Sequence, residues 1–193
     1  MIIQPIKLEL LKRVSVVGTS CSGKTTFAKN LARILNSKHI ELDAIHWLPD
    51  WVERPKDEFL DLVEKAAAAD AWVFDGNYSR TREIVWRRAT AVIWLNYSYS
   101  RTFYRSLNRT TRRIVSGERI YSGNRETFRQ AFMSRDSILL WVLKSYHEKR
   151  RRYLKLLGED NLSDKEIFIF RHPNQAEEFL RRVGQINLRE DFN

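Results

Sequence analysis

One cysteine in 193 residues, four histidines and no Gly/Ser/Pro-rich stretch set the first limits on this chain. Cys21 alone can form neither a disulfide nor a multi-cysteine metal site within one chain. The four histidines are scattered, which argues against a histidine-ligated metal. No apolar run approaches the roughly 20 residues needed to cross a bilayer. The first residues carry no signal-peptide pattern, so the expectation is a cytoplasmic protein with no membrane partner. Nothing resembling a linker divides the sequence, and residues 1–193 are expected to fold as a single domain. No DNA-recognition helix is legible either.

Charge is plentiful, and it is unevenly placed. The net charge is +10, and segment 101–152 holds 14 Lys or Arg against 4 Asp or Glu, so this one segment carries the whole excess. Such a stretch suits a polyanionic partner: a triphosphate, a phosphorylated acceptor or a nucleic acid backbone. Nucleic acid is therefore a candidate partner through 101–152, and solvated helix surface is the competing explanation for many of these arginines.

The most informative residues are Gly18-Thr19-Ser20-Cys21-Ser22-Gly23-Lys24-Thr25, a complete G-x-x-x-x-G-K-T phosphate loop. Val14, Val16 and Val17 before it read as a buried strand, and Phe27, Leu31 and Ile34 after it fall on one helix face. A strand turning sharply into a helix aims several N–H groups at one anion, and the helix adds its positive dipole end. Gly18, Ser20, Cys21, Ser22, Gly23, Lys24, Thr25 and Thr26 are thus expected to bind the nucleotide. Lys24 is placed to reach the β- and γ-phosphates, and Thr25 to ligate Mg²⁺. Cys21 reads simply as a small residue that fits the turn.

Further strands are expected at 39–42, 72–74, 91–95 and 167–170, with helices near Pro55, over 81–88, 99–116, 126–156 and 174–182, and a loosely held tail at 185–193. The run 71–76 is an apolar strand ending in Asp75-Gly76, a Walker B pattern. Asp75 would approach Mg²⁺ directly or through water, or else cap the following helix. Asp43 follows the second strand and is the candidate catalytic base, with capping of the next turn as the rival role. His46, Trp47, Gly76, Asn77 and Arg80 are expected to line the acceptor crevice. A lone histidine beside a tryptophan is also commonly a packing residue, and core packing explains Trp47 and Trp51 equally well. In the basic segment Arg105, Arg109 and Arg112 share a helix face, and Arg119 and Arg125 stand beyond the turn, so this region can close over phosphates. Lys144 and Lys149 to Arg152 read more simply as solvated helix surface.

On the motifs GTSCSGKTT at 18–26, LDAIHW at 42–47, WVFDGNYS at 72–79, AVIWLNY at 91–97 and the Arg109 to Arg113 stretch, the chain resembles the adenylate-kinase-like P-loop kinases. Within them it resembles the bacterial DNA topology modulation proteins. The resemblance implies a three-layer α/β fold with a five-stranded parallel sheet in the order 2-3-1-4-5 and an arginine-rich lid over about 109–135. It also implies ATP and Mg²⁺ as cofactors, with Lys24, Asp43, Arg109 and Arg113 catalytic. Adenylate kinases carry Asp-Gly-Phe-Pro-Arg where this chain has Asp75-Gly76-Asn77-Tyr78-Ser79, which argues against a plain AMP kinase. Asp43 instead looks like the acceptor-binding aspartate of shikimate and gluconate kinases. The expected activity is phosphoryl transfer from ATP to a nucleoside, nucleotide or other small hydroxyl acceptor. An ATP-binding, nucleic-acid-associated regulator and a polynucleotide kinase are the alternatives.

Overall fold

Val14, Val16 and Val17 alternate between two apolar layers, and that alternation fixes the centre of the molecule. In the computed structural model, which describes residues 6–125, 138–158 and 162–190, they belong to β1 (Arg13–Gly18). This strand pairs in parallel with β3 (Trp72–Asp75) on one side and β4 (Ala91–Leu95) on the other. The sheet is completed by β2 (Lys38–Glu41) beside β3 and by β7 (Glu166–Phe170) beside β4, all parallel. The order is β2-β3-β1-β4-β7. It is the expected 2-3-1-4-5 with a two-stranded antiparallel hairpin, β5 (Arg119–Ile120) and β6 (Asn124–Arg125), inserted along the chain before the last strand.

Val14, Val16, Ile93 and Leu95 face one layer, formed by helices α1 (Lys24–Ile34) and α7 (Pro173–Glu190). Val17, Val92 and Trp94 face the other, where α3 (Lys56–Ala67) and α4 (Arg82–Arg88) supply Phe59, Val63 and Trp86. Each large side chain so buried contributes about 1.5–3 kcal/mol. A parallel sheet covered on both faces needs apolar residues at every strand position, which is why β3 and β4 are buried throughout. A short helix, α2 (Leu42–His46), follows β2. Two long helices, α5 (Tyr99–Ser116) and α6 (Ile138–Leu156), flank the hairpin.

Two boundaries differ from expectation in ways that bear on the site. The second strand ends at Glu41, and Leu42 and Asp43 belong to the first turn of α2. Asp43 therefore stands one turn above the sheet edge instead of at the strand end, while Glu41 takes that edge position. The stretch expected as a loose tail is helical through Glu190, because Val183 and Ile186 continue the apolar stripe of α7 onto the core. The break at Ser116-Gly117 is present, with Gly117 in the left-handed conformation ending α5. Residues 126–137, part of the expected lid and of the helix expected over 126–156, lie outside the described residues.

Candidate active site

All five parallel strands deliver their C-terminal ends to one edge, and the polar residues expected to act together follow directly from those ends. The loop after β1 turns through Cys21 at φ 63° and Gly23 at φ 91° into α1. Gly18 is in hydrogen-bond register beside Leu95, and a Cβ there would stand 2.8 Å from the Leu95 carbonyl oxygen. Lys24 Nζ donates to Thr19 O at 3.0 Å, inside the loop. Burial pushes the Lys24 pKa below its ordinary value, while the carboxylates of Asp75 and Asp43 pull it back up. Both carboxylates therefore lie close enough to feel its charge.

Asp75, 1% exposed, spends neither oxygen on a helix cap. Its Oδ2 pairs with His39 Nε2 at 2.8 Å, and its Oδ1 accepts from Thr25 Oγ1 at 3.4 Å. Thr25 Oγ1 also donates to Glu41 Oε1 at 3.2 Å, and Tyr121 OH of the hairpin donates to the same oxygen at 2.9 Å. Glu41 was not singled out from sequence. Its β-strand partner in register is Asp75, and alternation within Ile40-Glu41-Leu42 was the signal that could have found it. Burial and the neighbouring Asp75 and Asp43 raise its pKa above the usual glutamate range.

A glutamate whose folded pKa lies above its unfolded value binds more protons folded than unfolded between the two. The stability it lends is present below the unfolded pKa and is lost as pH rises through the folded one. Glu41→Gln is accordingly expected to raise Tm at neutral pH, with the gain shrinking as the pH is lowered toward the ordinary glutamate range. Thermal unfolding of both proteins across pH checks this, and a destabilised variant at pH 7.5 would contradict it.

Asp43 accepts a 2.6 Å hydrogen bond from Tyr78 OH on its Oδ1. Burial and the Asp43 charge both push the Tyr78 phenol well up, so the phenol stays a donor. The residue at the cap position of α2 is Glu41, whose side chain makes no cap bond, and Asp43 stands in the first turn of the helix. Arg109 bears on Lys24 electrostatically from α5, and Arg113 bears on Tyr121. Arg105 goes further, donating from Nη1 to Ser22 O at 3.2 Å while lying 5.8 Å over the Tyr97 ring.

Other expected residues are placed differently. Asn77 does not face an acceptor: its carboxamide bonds both the N–H and the carbonyl of Gly18, and Tyr153 OH of α6 donates to it at 2.9 Å. It clamps the phosphate loop to the end of β3. His46 is 2% exposed among the rings of Trp47, Phe59 and Tyr78, with Nε2 3.6 Å from Glu53 Oε2, and burial lowers its pKa against the opposing charge of Glu53, so its surroundings are those of a packing residue. Arg80 lies 3.8 Å from Glu53 and over Phe59. Gly76 is open for a packing reason, since a Cβ would meet Leu42 Cβ at 2.7 Å. Trp47 packs edge-on against Trp51 at 5.5 Å. Ser20 is half-buried and Thr26 exposed at the start of α1, whereas Ser22 is fully buried.

The aromatic loop after α2 and the hairpin are tied together. Ser122 Oγ donates to Trp47 O at 2.7 Å, Asn124 Nδ2 to Leu48 O at 2.9 Å, and Trp51 N to Asn124 Oδ1 at 3.0 Å. Asp50, Trp51, Tyr121 and Ser122 all adopt positive φ, so both loops carry strain where they meet.

Among solved structures this arrangement has counterparts. The shikimate kinase of Acinetobacter baumannii, solved with shikimate, aligns over 97% of this chain and 100% of its own, at 14% identity and a TM-score of 0.57. The chain has the fold of shikimate kinase. The shikimate kinase of Bacteroides thetaiotaomicron matches over 90% of this chain and 97% of its own, at 15% identity and a TM-score of 0.53. A gluconokinase from Sinorhizobium meliloti matches over 95% and 96%, at 17% identity and a TM-score of 0.51. These are P-loop kinases of the adenylate-kinase-like class. No protein-family model matches the chain, and no curated protein matches it. The resemblance to DNA topology modulation proteins thus rests on the sequence motifs alone.

Proposed function

We propose that this protein is an ATP-dependent phosphotransferase acting on a small molecule that bears a hydroxyl group. The observation that carries the reading is the placement of Asp43, aimed by the Tyr78 hydroxyl, within electrostatic reach of Lys24. The phosphate-loop lysine and a carboxylate oriented by Tyr78 feel each other's charge across the sheet edge, the one at the donor end and the other where an acceptor must enter. The kinase folds it shares support the same reading, as does the gathering of Arg105, Arg109 and Arg113 around the loop and the hairpin.

In this mechanism the loop N–H groups, Lys24 and the arginines hold the triphosphate and offset the charge that spreads over the transferring group. The acceptor oxygen attacks the γ-phosphorus in line. Its proton passes to the Asp43 carboxylate, and the bond from the γ-phosphorus to the bridging oxygen breaks, releasing ADP. Tyr78 keeps Asp43 aimed. His39 fixes one oxygen of Asp75, leaving the other beside Thr25 and Glu41.

The residues present fit Mg²⁺. Thr25, Asp75 and Glu41 offer hard oxygen donors close together, and a cation there would offset both the burial and the Asp75 charge that raise the Glu41 pKa. Among the described residues no group of three or more His, Cys, Asp or Glu forms a metal cage. That suits a cation held by one or two carboxylates together with phosphate oxygens. When bound, Mg²⁺ supplies charge neutralisation at those oxygens.

Three arginines of the basic segment have partners at this edge: Arg105 on the loop, Arg101 with His172 at 3.0 Å, and Arg150 donating to Asn96 at 3.2 Å. Arg101 and Arg150 thereby brace the segments that follow β7 and β4. A polynucleotide partner is not required to explain these three arginines.

ADP release from ATP-Mg²⁺ against a panel of sugars, hydroxy acids, nucleosides and short nucleic acids tests the proposal. Acceptor-dependent turnover is expected, and Lys24→Ala should lower it by about 10²–10³-fold, the usual loss when one donor to transition-state charge is removed. Turnover that rises only with nucleic acid, or that Lys24→Ala leaves intact, would overturn it.

A further inference from the structure

Helix α6 is anchored to the site edge at two points one face apart. Tyr146 OH donates to Tyr97 O, just past β4, at 2.7 Å, and Tyr153 OH donates to Asn77, just past β3, at 2.9 Å. Both tyrosines are 4% exposed. Residue 149 lies three positions after the first and four before the second, so it shares their face, midway between the two anchors. The strand between β3 and β4 is β1, and what leaves β1 is the phosphate loop. Arg150 has the same spacing but is exposed and donates to Asn96, and Arg151 and Arg152 are exposed; Lys149 alone of the four is half-buried, which directs it toward that loop.

The charges that reach Lys149 agree with that direction. They include, beside Glu148 and Arg152 on its own helix, those of Lys24 and Asp43, one from each side of the transfer line. We propose that Lys149 is a second catalytic lysine of this site, contacting the γ-phosphoryl group as it passes from the phosphate loop to an acceptor at Asp43. The placement rests on the phosphotransferase reading and deepens it. Lys24 approaches the phosphates from within the loop and Lys149 from α6, so the two would flank the group in flight.

Burial and the adjacent Lys24 hold the Lys149 pKa down to about 7, with Asp43 and Glu148 opposing the shift. A γ-phosphate beside it would restore its positive charge, so the contact can be read as a proton. Titration calorimetry of the whole protein with ATP-Mg²⁺ and with ADP-Mg²⁺ at pH 8, in two buffers of different ionisation enthalpy, gives the protons taken up on binding. At that pH the free lysine is mostly neutral, so wild type should take up close to one proton more with ATP than with ADP. Lys24 itself is common to all proteins compared, so the difference made by residue 149 isolates that side chain.

Lys149→Met should abolish the ATP-specific uptake and lower acceptor turnover about 10²-fold with Tm unchanged. Lys149→Arg, permanently charged, should also abolish the uptake yet keep turnover within about tenfold of wild type. Equal uptake with ADP and ATP, uptake that survives in Lys149→Met, or turnover in that variant within threefold of wild type would each overturn the assignment. The uptake needs no acceptor. Failure to find acceptor turnover in wild type therefore removes the kinase reading, and the calorimetry judges the position of Lys149 by itself.

Discussion

Asp43→Asn is expected to leave nucleotide binding nearly intact and to lower acceptor-dependent ADP formation by about 10²–10⁴-fold, the span that a positioned general base contributes. The substitution is close to isosteric. The carboxamide oxygen it introduces can still accept the Tyr78 hydroxyl that now lies 2.6 Å from Asp43, so the first turn of α2 should keep its shape. What disappears is the capacity to take the acceptor proton. A smaller part of the loss has another source: Asp43 also helps to keep Lys24 charged, and without it the lysine pKa falls further below its ordinary value. The two contributions separate with pH, because loss through Lys24 grows as pH rises whereas loss of the base does not. The measurement is steady-state turnover with the best acceptor, alongside ATP affinity by calorimetry. A variant turning over within tenfold of wild type would remove Asp43 from the chemistry.

The largest structural effect is expected at Gly18. An alanine Cβ there would stand 2.8 Å from both the Leu95 carbonyl oxygen and Ser22 Oγ, and 3.3 Å from Leu95 Cβ. The Leu95 oxygen is backbone in the neighbouring strand and cannot rotate away, so β1 and β4 must separate or the loop must shift. The glycine φ of 156° adds conformational strain. Strain of about 1–3 kcal/mol and overpacking of about 1–3 kcal/mol together correspond to a fall in Tm of roughly 4–24 °C for a chain of this size. ATP binding should be lost as well, since Gly18 is the residue that Asn77 grips from both its N–H and its carbonyl. Gly117→Ala is the control. Gly117 also has positive φ but nothing within 4 Å of its Cβ position, so only the backbone penalty of about 1 kcal/mol applies. Equal unfolding temperatures for the two variants would show that close packing at Gly18 is not what constrains it.

The parts of the site legible in sequence were those fixed by local geometry. Eight consecutive residues define the phosphate loop because one strand–turn–helix holds all of its backbone donors. The strand order followed from the same motif through the resemblance that it carries. Asp75 was legible because an apolar strand delivers it directly to the sheet edge. What could not be read was anything decided by a partner far away in the chain. Asn77 and Arg80 look alike in sequence, two polar residues after a glycine, but one is drawn to Gly18 and Tyr153 and the other to Glu53 and Phe59. His46 falls among rings supplied by α3 and by the segment after β3. Lys149 sat in a run of four cations that reads as solvated surface, and it is set apart from the other three only by its burial between the tyrosine anchors of α6 and by the charges of Lys24 and Asp43 that reach it. Glu41 became visible once β2 was seen to end a residue early.

The bonds from Asn124 and Ser122 to residues 47–51 have a consequence for how such a protein can diverge. The loop that follows Asp43 is closed on itself by Leu48 N to Val52 O, but its backbone groups at Trp47 O, Leu48 O and Trp51 N are met by side chains that lie more than 70 positions later in the chain. Grafting residues 47–51 from a relative would strand those groups, and replacing the hairpin alone would do the same from the other side. Under the proposed function the two segments would border the acceptor together, so replacing Ser122 and Asn124 is expected to disturb acceptor turnover as much as replacing the loop itself.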